Sequence, residues 1–183
     1  MKSIDVIPLN GGAPRRVEPS LDRLESLAVA LARTFRTPCR IRPEIMDISR
    51  AWDTGRGQYH STAILRQLEQ ASQRDARLLG VTTCDLYVPV LTFVFGEAQL
   101  AGNCATVSMA RLAEEFYGLP PREPLLRERL LKTAIHEIGH TFGLQHCSNW
   151  ECVMASSYGV ERLDVKSASF CATCRKVVFR SPF

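Results

Sequence analysis

The sequence predicts a single domain of the α/β (α+β) class, and three observations support this. Its 183 residues suffice for one compact core and are few for two independent domains. Stretches with helical periodicity alternate with short runs rich in β-branched and aromatic residues. The composition, 45% hydrophobic without low-complexity tracts, is that of an ordinary globular protein. We therefore expect one folding unit over residues 1–183.

The N-terminal segment predicts a strand followed by a helix. Residues 2–10, KSIDVIPLN, form a strand-like run that is ended by the turn-forming residues NGGAP. From Ser20 onward apolar residues recur at helical spacing, and Pro38 limits how far this helix can extend. The buried face of the helix is expected to hold Leu21, Leu24, Leu27, Ala28, Leu31 and Phe35.

A strand-like stretch and a second helix come next. Residues 39–49, CRIRPEIMDIS, predict a strand in which Pro43 indicates an edge position or a bulge. After the turn DTGRG, residues 58–76 have the periodicity of a helix. The buried side of this helix is expected to hold Ile64, Leu65, Leu68 and Ala71.

The pattern then changes from helical to β. Residues 77–88, 91–100 and 103–112 are rich in β-branched and aromatic side chains. Pro89 and the pair Gly102-Asn103 supply turn chemistry between these runs. We expect three strands here.

The longest helical pattern covers residues 121–143, PREPLLRERLLKTAIHEIGHTFG. Pro124 is suited to a first helical turn, where its missing N–H costs no hydrogen bond. Beyond Gly143 the helical periodicity weakens, and residues 144–183 form a loop-rich tail. This tail has few apolar groups to bury, so it needs a stabilising cross-link. The apolar stripe of the helix consists of Leu131, Ile135, Ile138 and Phe142.

Three of the four histidines fall within the segment HEIGHTFGLQHC, residues 136–147. A helix advances about 100° per residue, so His136 and His140 lie on one face and can bind one ion. Gly143 can adopt the left-handed conformation that ends a helix, after which His146 can approach the same ion. Glu137 lies beside these histidines but is badly placed to coordinate with them, so it remains free for proton transfer.

This arrangement indicates zinc-dependent hydrolysis. Three neutral imidazoles leave one position open on a tetrahedral zinc ion, as a catalytic site requires. The zinc would make hydroxide available at neutral pH, and Glu137 would take the proton of the bound water and pass it to the leaving amine. An HExxH pattern also occurs by chance in helices that hold no site, but the added Gly143 and His146 argue against chance.

The cysteines indicate a second metal site. Four of the seven lie in the tail, as the pairs Cys147/Cys152 and Cys171/Cys174 with eighteen residues between the pairs. Four thiolate ligands that leave no open position on the zinc ion are typical of a structural zinc site, which would cross-link the tail. Free cysteines or a disulfide are the alternative, disfavoured because both spacings agree with zinc knuckles. The remaining cysteines, Cys39, Cys84 and Cys104, are expected to be small core residues.

Charge and hydropathy exclude other classes of function. The net charge of +4 is spread along the chain, and neither a basic run nor aromatics interleaved with basic residues near the cysteines indicate a nucleic-acid module. No stretch reads as a signal peptide or a membrane helix, and clustered cysteines suit a reducing compartment. We expect a cytoplasmic protein with no nucleic-acid or membrane partner.

The motif HEIGHTFGLQHC, followed by CVM and then by FCATC, resembles the archaemetzincins, a family of metzincin-type zinc peptidases. Every position of the family pattern HExxHxxGxxHC, four residues, CVM and CxxC is matched, over residues 136–174. The resemblance implies a metzincin-like zincin fold, in which a twisted mixed sheet is backed by helices and carries an active-site helix. It also implies an upper subdomain, residues 1–143, above a small zinc-stapled lower subdomain, residues 144–183.

The resemblance further implies a role for each matched residue. Glu137 would be the general base, and Met154 the Met-turn residue that packs beneath the histidines. An edge strand within residues 93–102 would pair with an extended peptide substrate. Some metzincins carry a zinc-reaching tyrosine two residues after this methionine, but Ser156 stands there and Tyr158 is expected to be structural or a substrate contact. Two zinc ions per chain are implied, with the ligand sets His136, His140 and His146 (catalytic) and Cys147, Cys152, Cys171 and Cys174 (structural).

The function predicted on this basis is zinc-dependent hydrolysis of peptide bonds by a monomer that acts on peptides or unfolded polypeptide. The alternative is a catalytically silent protein of the same fold that contains zinc and binds a peptide or partner. The presence of Glu137 favours catalysis, because a binding protein has no need of a carboxylate there.

Overall fold

The computed structural model describes residues 3–12, 19–73 and 75–180. Its helices are α1 (Leu21–Phe35), α2 (Ser61–Ala71), α3 (Glu123–Thr141), α4 (Val160–Val165) and α5 (Ala172–Arg180). Its strands are β1 (Ser3–Asn10), β2 (Cys39–Ile41), β3 (Met46–Asp47), β4 (Trp52–Asp53), β5 (Gln58–His60), β6 (Ala76–Thr82), β7 (Leu86–Tyr87), β8 (Gly96–Ala98) and β9 (Cys104–Ser108). Short 3-10 turns cover Ser49–Ala51 and Glu114–Tyr117.

The main sheet is mixed and has the strand order β2-β1-β6-β9-β8, with β3 beside the end of β1. The pairs β1/β2, β1/β6 and β6/β9 are parallel, whereas β8 runs antiparallel to β9 at the edge. A smaller sheet joins β4, β5 and β7. The predicted mixed sheet is confirmed, and the edge strand lies within residues 93–102, as expected.

Helices cover both faces of the main sheet. On one face Ile4, Val6 and Leu79 pack into the same core as residues of α1 and α3. On the other face Ile7 and Leu9 join a second core with residues of α2. Because both faces are covered, β6 is buried along its whole length, and apart from Arg77 and Thr82 its residues are apolar or glycine.

Asp5 is an exception inside this buried sheet. Its side chain is 1% exposed on β1 and lies within 3.3 Å of the guanidinium groups of Arg40 and Arg42. Ser3 also donates a hydrogen bond to it at 2.9 Å. The charge of this carboxylate is therefore compensated by β2 and the residue that follows it.

Two predicted elements have different boundaries in the structure. Residues 39–49 form two short strands, β2 and β3, interrupted around Pro43, which lacks the N–H that a continuous ladder needs. The helix expected over 58–76 begins only at Ser61, since residues 58–60 form β5 instead. That helix ends at Ala71, and the chain enters β6 at Ala76.

The tail is more ordered than its sequence indicates. It contains α4 and α5 and adds Leu144, Val153, Val160, Leu163 and Val178 to the core beneath α3. These residues are scattered between loops, so no hydrophobic periodicity in the sequence indicates that they are buried. Within the described part of the chain, no helix is long and apolar enough to cross a bilayer.

Candidate active site

Helix α3 and the turn after it bring the three motif histidines together. His136 and His140 lie one turn apart on α3, and the helix ends at Thr141. Gly143 has φ +85°, the left-handed conformation expected of it, and the reversed chain returns His146 to the pair. The ring centroids of the three imidazoles lie 4.6, 5.2 and 5.1 Å apart.

Backbone carbonyls orient two of these rings. Nδ1 of His136 donates to the carbonyl oxygen of Val153 at 2.8 Å, and Nδ1 of His140 donates to that of Leu144 at 2.7 Å. With Nδ1 protonated in a neutral ring, Nε2 carries a lone pair. The two Nε2 atoms face each other at 3.1 Å, close to the edge of about 3.3 Å that a tetrahedral zinc site requires. Facing lone pairs suit a shared cation.

The protonation states of the histidines also suit a metal. Burial lowers the pKa of His136 to about 3, and burial likewise lowers the pKa values of His140 and His146. Neutral imidazole is the form that binds metal ions. One nitrogen from each of the three residues lies within 4.8 Å of the others, so the histidines fit a single divalent ion such as zinc.

Glu137 is buried beside this cluster and lines the same cleft as His136. Burial raises the pKa of its carboxyl group to about 8, opposed by the ammonium group of Lys166 and aided to a smaller extent by the carboxylate of Glu97. Gly96 of β8 makes room for this side chain, because a Cβ at position 96 would lie 2.7 Å from Cγ of Glu137. The edge strand thus packs directly against the candidate base.

The cleft has a volume of about 800 Å³. One part of its wall is the edge strand β8 with the preceding residues 91–95. Another part is formed by residues 156–158, Leu163 and Lys166, which follow the Met-turn. Tyr158 lines the cleft and is 84% exposed, so it lies where a substrate contact is expected. A cleft of this size accommodates an extended peptide segment.

Met154 lies beneath the histidine helix, as expected of a Met-turn residue. It is fully buried, and its Sδ atom is so close to Gly139 that a Cβ there would lie 2.5 Å away. Its neighbour Val153 supplies the carbonyl oxygen that orients His136. The turn therefore supports α3 from below through both its side chain and its backbone.

Lys166 is a buried residue of this site that sequence reasoning missed. Its ammonium group donates hydrogen bonds at 2.9 Å to the carbonyl oxygens of Val153 and Ala155, on either side of Met154. Lys166 follows Leu163 by three residues and continues the buried face of α4, which is the only local signal. A lysine at such a position is ordinarily solvent-exposed.

The four tail cysteines form a second cluster. Their sulfur atoms lie within 4.8 Å of one another, and Sγ of Cys147 is 3.8 Å from Sγ of Cys171. A tetrahedral zinc site with Zn–S bonds of about 2.3 Å has sulfur–sulfur edges of about 3.8 Å, so the donors fit. The backbone N–H of Cys174 lowers the pKa of the Cys171 thiol to about 7, which favours the metal-binding thiolate.

The other cysteines lie in the sheet region, as predicted. Cys104 and Cys84 are buried, and Cys39 is half-buried on β2. Among the described residues they belong to neither metal-ligand cluster. His60, the histidine outside the motif, is half-buried and stacks on Tyr87 at 5.2 Å between ring centroids.

Comparison with known proteins places this geometry in a family. The model of peptidase family M54 matches residues 25–180. The archaemetzincin of Methanocaldococcus jannaschii is 47% identical over 138 residues, which cover 75% of this chain and 75% of that protein.

Solved structures have the same fold. The chain superposes on the archaemetzincin of Archaeoglobus fulgidus, crystallised with malonate, with a TM-score of 0.80 and 37% identity, over 96% of this chain and 99% of that one. A zinc-dependent peptidase from Methanocorpusculum labreanum gives a TM-score of 0.84 with 28% identity, over 96% and 100%. The chain therefore belongs to peptidase family M54, the archaemetzincins, and has their fold, with residue groups suited to zinc.

Proposed function

We propose that this protein hydrolyses peptide bonds with a catalytic zinc ion held by His136, His140 and His146. The observation that carries the proposal is the convergence of three imidazoles beside a buried carboxylate in an open cleft. Membership of a peptidase family and a fold shared with a zinc-dependent peptidase support it. Zinc bound there would activate a water molecule and polarise the scissile carbonyl group.

Glu137 is the general base in this proposal. It follows His136 directly on α3 and lines the cleft, where the ammonium group of Lys166 attracts its carboxylate from beyond salt-bridge distance. Its carboxylate takes a proton from the attacking water and later delivers it to the leaving amine. Its burial keeps bulk water away while it holds the proton between these two steps.

The edge strand β8 is proposed to bind the substrate backbone. It ends the main sheet next to Glu137, and an extended peptide can add to such an edge by backbone hydrogen bonding. Substitutions on β8 should raise KM for peptide substrates without loss of zinc. An unchanged KM would count against this binding mode.

The second zinc is proposed to be structural, held by Cys147, Cys152, Cys171 and Cys174. It would close the loop of the lower subdomain, residues 144–183, against the upper subdomain, residues 1–143. Because Cys147 directly follows His146, the two sites share one segment of backbone. Loss of the structural metal would therefore also disturb the catalytic ligand.

Metal analysis combined with digestion of a peptide library tests the proposed function. Wild type is expected to hold two zinc ions per chain and to cleave peptides. Glu137→Gln, which keeps the shape of the side chain but cannot accept the proton, is expected to hold the same zinc and lose about 10²–10⁴-fold in rate. Two zinc ions with no cleavage of any peptide would instead support a peptide-binding protein.

A further inference from the structure

We propose that the cleft contains a recess for an acidic side chain of the substrate, with Lys166 pairing with the substrate carboxylate. We call the part of the cleft wall that is formed by Thr133, Ser157, Leu163 and Lys166 the Lys166 recess. The inference rests on the proposed peptidase function and specifies the class of peptide that the site prefers.

The first argument is that Lys166 is a buried cation with no carboxylate at salt-bridge distance among the described residues, although the more distant carboxylate of Glu137 attracts it. It is 3% exposed, and its described hydrogen bonds go to two neutral carbonyl oxygens. An ammonium group has three N–H donors, so one donor remains. Among the residues that the structure describes, no carboxylate lies within salt-bridge distance of Lys166.

Two buried cations in the same region are each paired with a carboxylate. Arg129 pairs with Asp164 at 2.6 Å and with Glu114 at 2.8 Å. Lys132, also 3% exposed, pairs with Glu128 at 2.6 Å. Both cations have carboxylates at salt-bridge distance, whereas Lys166 lines the cleft with only the more distant carboxylate of Glu137 to attract it. A buried charge is costly unless it is paired, and a substrate carboxylate would supply the pair.

The second argument is a hydroxyl group without a partner on the same wall. Oγ of Ser157 is buried and makes no hydrogen bond. Rotation about its Cα–Cβ bond can turn this donor toward a ligand in the recess. A carboxylate has two oxygen atoms, so Lys166 and Ser157 together can satisfy both.

The rest of the recess suits the stem of an acidic side chain. Leu163 provides an apolar wall, and the hydroxyl of Thr133 is already donated to the carbonyl oxygen of Arg129. Burial lowers the pKa of Lys166 to about 8, which still leaves most of the group protonated at pH 7. An uncharged amide of the same shape would leave the ammonium unpaired, so the recess discriminates by charge.

The test uses matched pairs of peptides that differ only in Glu against Gln, or Asp against Asn, at each position near a cleaved bond. For the zinc-loaded wild-type protein, we expect one position at which the acid peptide has a kcat/KM at least about tenfold above that of the amide peptide. Lys166→Met should reduce this ratio to about twofold or less while the amide peptide is still cleaved. Lys166→Arg, which keeps the charge, should retain a clear preference.

Two further variants keep the test informative if Lys166→Met fails to fold. Ser157→Ala removes only the second donor and should reduce the acid preference by a smaller factor. Glu97→Gln removes a charge from the same cleft but outside the recess, and it should leave the preference intact. Equal kcat/KM for acid and amide peptides at every position of an active protein would overturn the recess. An acid preference that survives Lys166→Met would equally overturn it.

Peptide binding to zinc-loaded Glu137→Gln separates this inference from the proposed function. Fluorescence anisotropy with the same labelled peptide pairs is expected to show tighter binding of the acid peptide, lost on adding Lys166→Met. Acid-selective binding by a wild-type protein that cleaves nothing would support the recess and overturn the peptidase proposal. Cleavage without acid preference would support the peptidase proposal and overturn the recess.

Discussion

Two glycines set the distances around the candidate catalytic residues. Gly139 lies on α3 between His136 and His140, where only a hydrogen atom fits above the sulfur of Met154. Gly96 lies on the edge strand, where a Cβ would meet both Glu137 and the carbonyl oxygen of Thr106. Each glycine is required for close approach, because neither has a positive φ angle. Their role is therefore steric.

Gly139→Ala should destabilise the protein and weaken zinc binding. The added methyl group must displace Met154, which overpacks the site and costs about 1–3 kcal/mol in the free energy of unfolding. Urea unfolding of the zinc-loaded protein and zinc analysis measure the two effects. In a Met154→Ala background the methyl group has space, so its cost should fall. Equal costs in both backgrounds would contradict this account of the contact.

Gly96→Ala should impair catalysis through Glu137. A displacement of Glu137 by the added Cβ is expected to lower kcat for a cleaved peptide by about 10²-fold. Ala98→Gly, on the same strand, is the matched control: it changes β8 without crowding the carboxylate, so it can raise KM but should leave kcat unchanged. A fully active Gly96→Ala variant would show that Glu137 is not held by this contact.

At the scale of elements, the tail depends on the cysteine cluster and on its contacts with α3. The helices α4 and α5 have 6 and 9 residues, too short to persist alone in water. Cys171 directly precedes α5, and Cys147 directly follows the third histidine. Four sulfur ligands would thus tie the start of the tail to its last helix.

Cys171→Ser should release the structural zinc and loosen the tail. We expect the zinc content to fall by at least one ion per chain and a protease to cut within residues 144–180 faster than in wild type. Cys39→Ser is the matched control, since this half-buried cysteine lies on β2 away from the cluster. Retention of both metal ions by Cys171→Ser would show that the thiolate is dispensable.

At the scale of the whole molecule, one hydrophobic core joins the sheet to the tail. Residues of β1, β6 and α3 share this core with Val153, Met154 and Leu163 below the active-site helix. The two proposed subdomains therefore bury apolar surface together, so neither has a separate core on this side of the sheet. Shared burial of this kind makes unfolding cooperative.

The zinc-loaded protein should accordingly unfold in a single calorimetric transition. Chelation is expected to lower its midpoint, and added zinc should restore it, because the ligands converge only in the folded chain. A zinc-treated sample in the same buffer serves as the control. Two separate transitions in the loaded protein would show that residues 144–183 fold as an independent unit.

Local geometry explains which parts of this protein were predictable. Histidines four residues apart share a helix face in any context, so the pairing of His136 with His140 follows from spacing alone. The left-handed turn at Gly143 is equally local, as are the lengths of β1 and α1. The cysteine cluster was predictable from the spacing of its two pairs. The edge strand was predictable because the motif resembles a family whose fold is known, and the fold and family membership are confirmed.

The amino-acid sequence by itself determined the family, the two groups of candidate metal ligands and the succession of most helices and strands, because these depend on composition and on short spacings. Only the tertiary structure revealed α4 and α5, the packing of Gly96 against Glu137 and the burial of Lys166. Those features join residues dozens of positions apart, and burial changes what a residue can do. A lysine that looks solvated in the sequence becomes a charge in a cleft only when the Met-turn and α3 close around it.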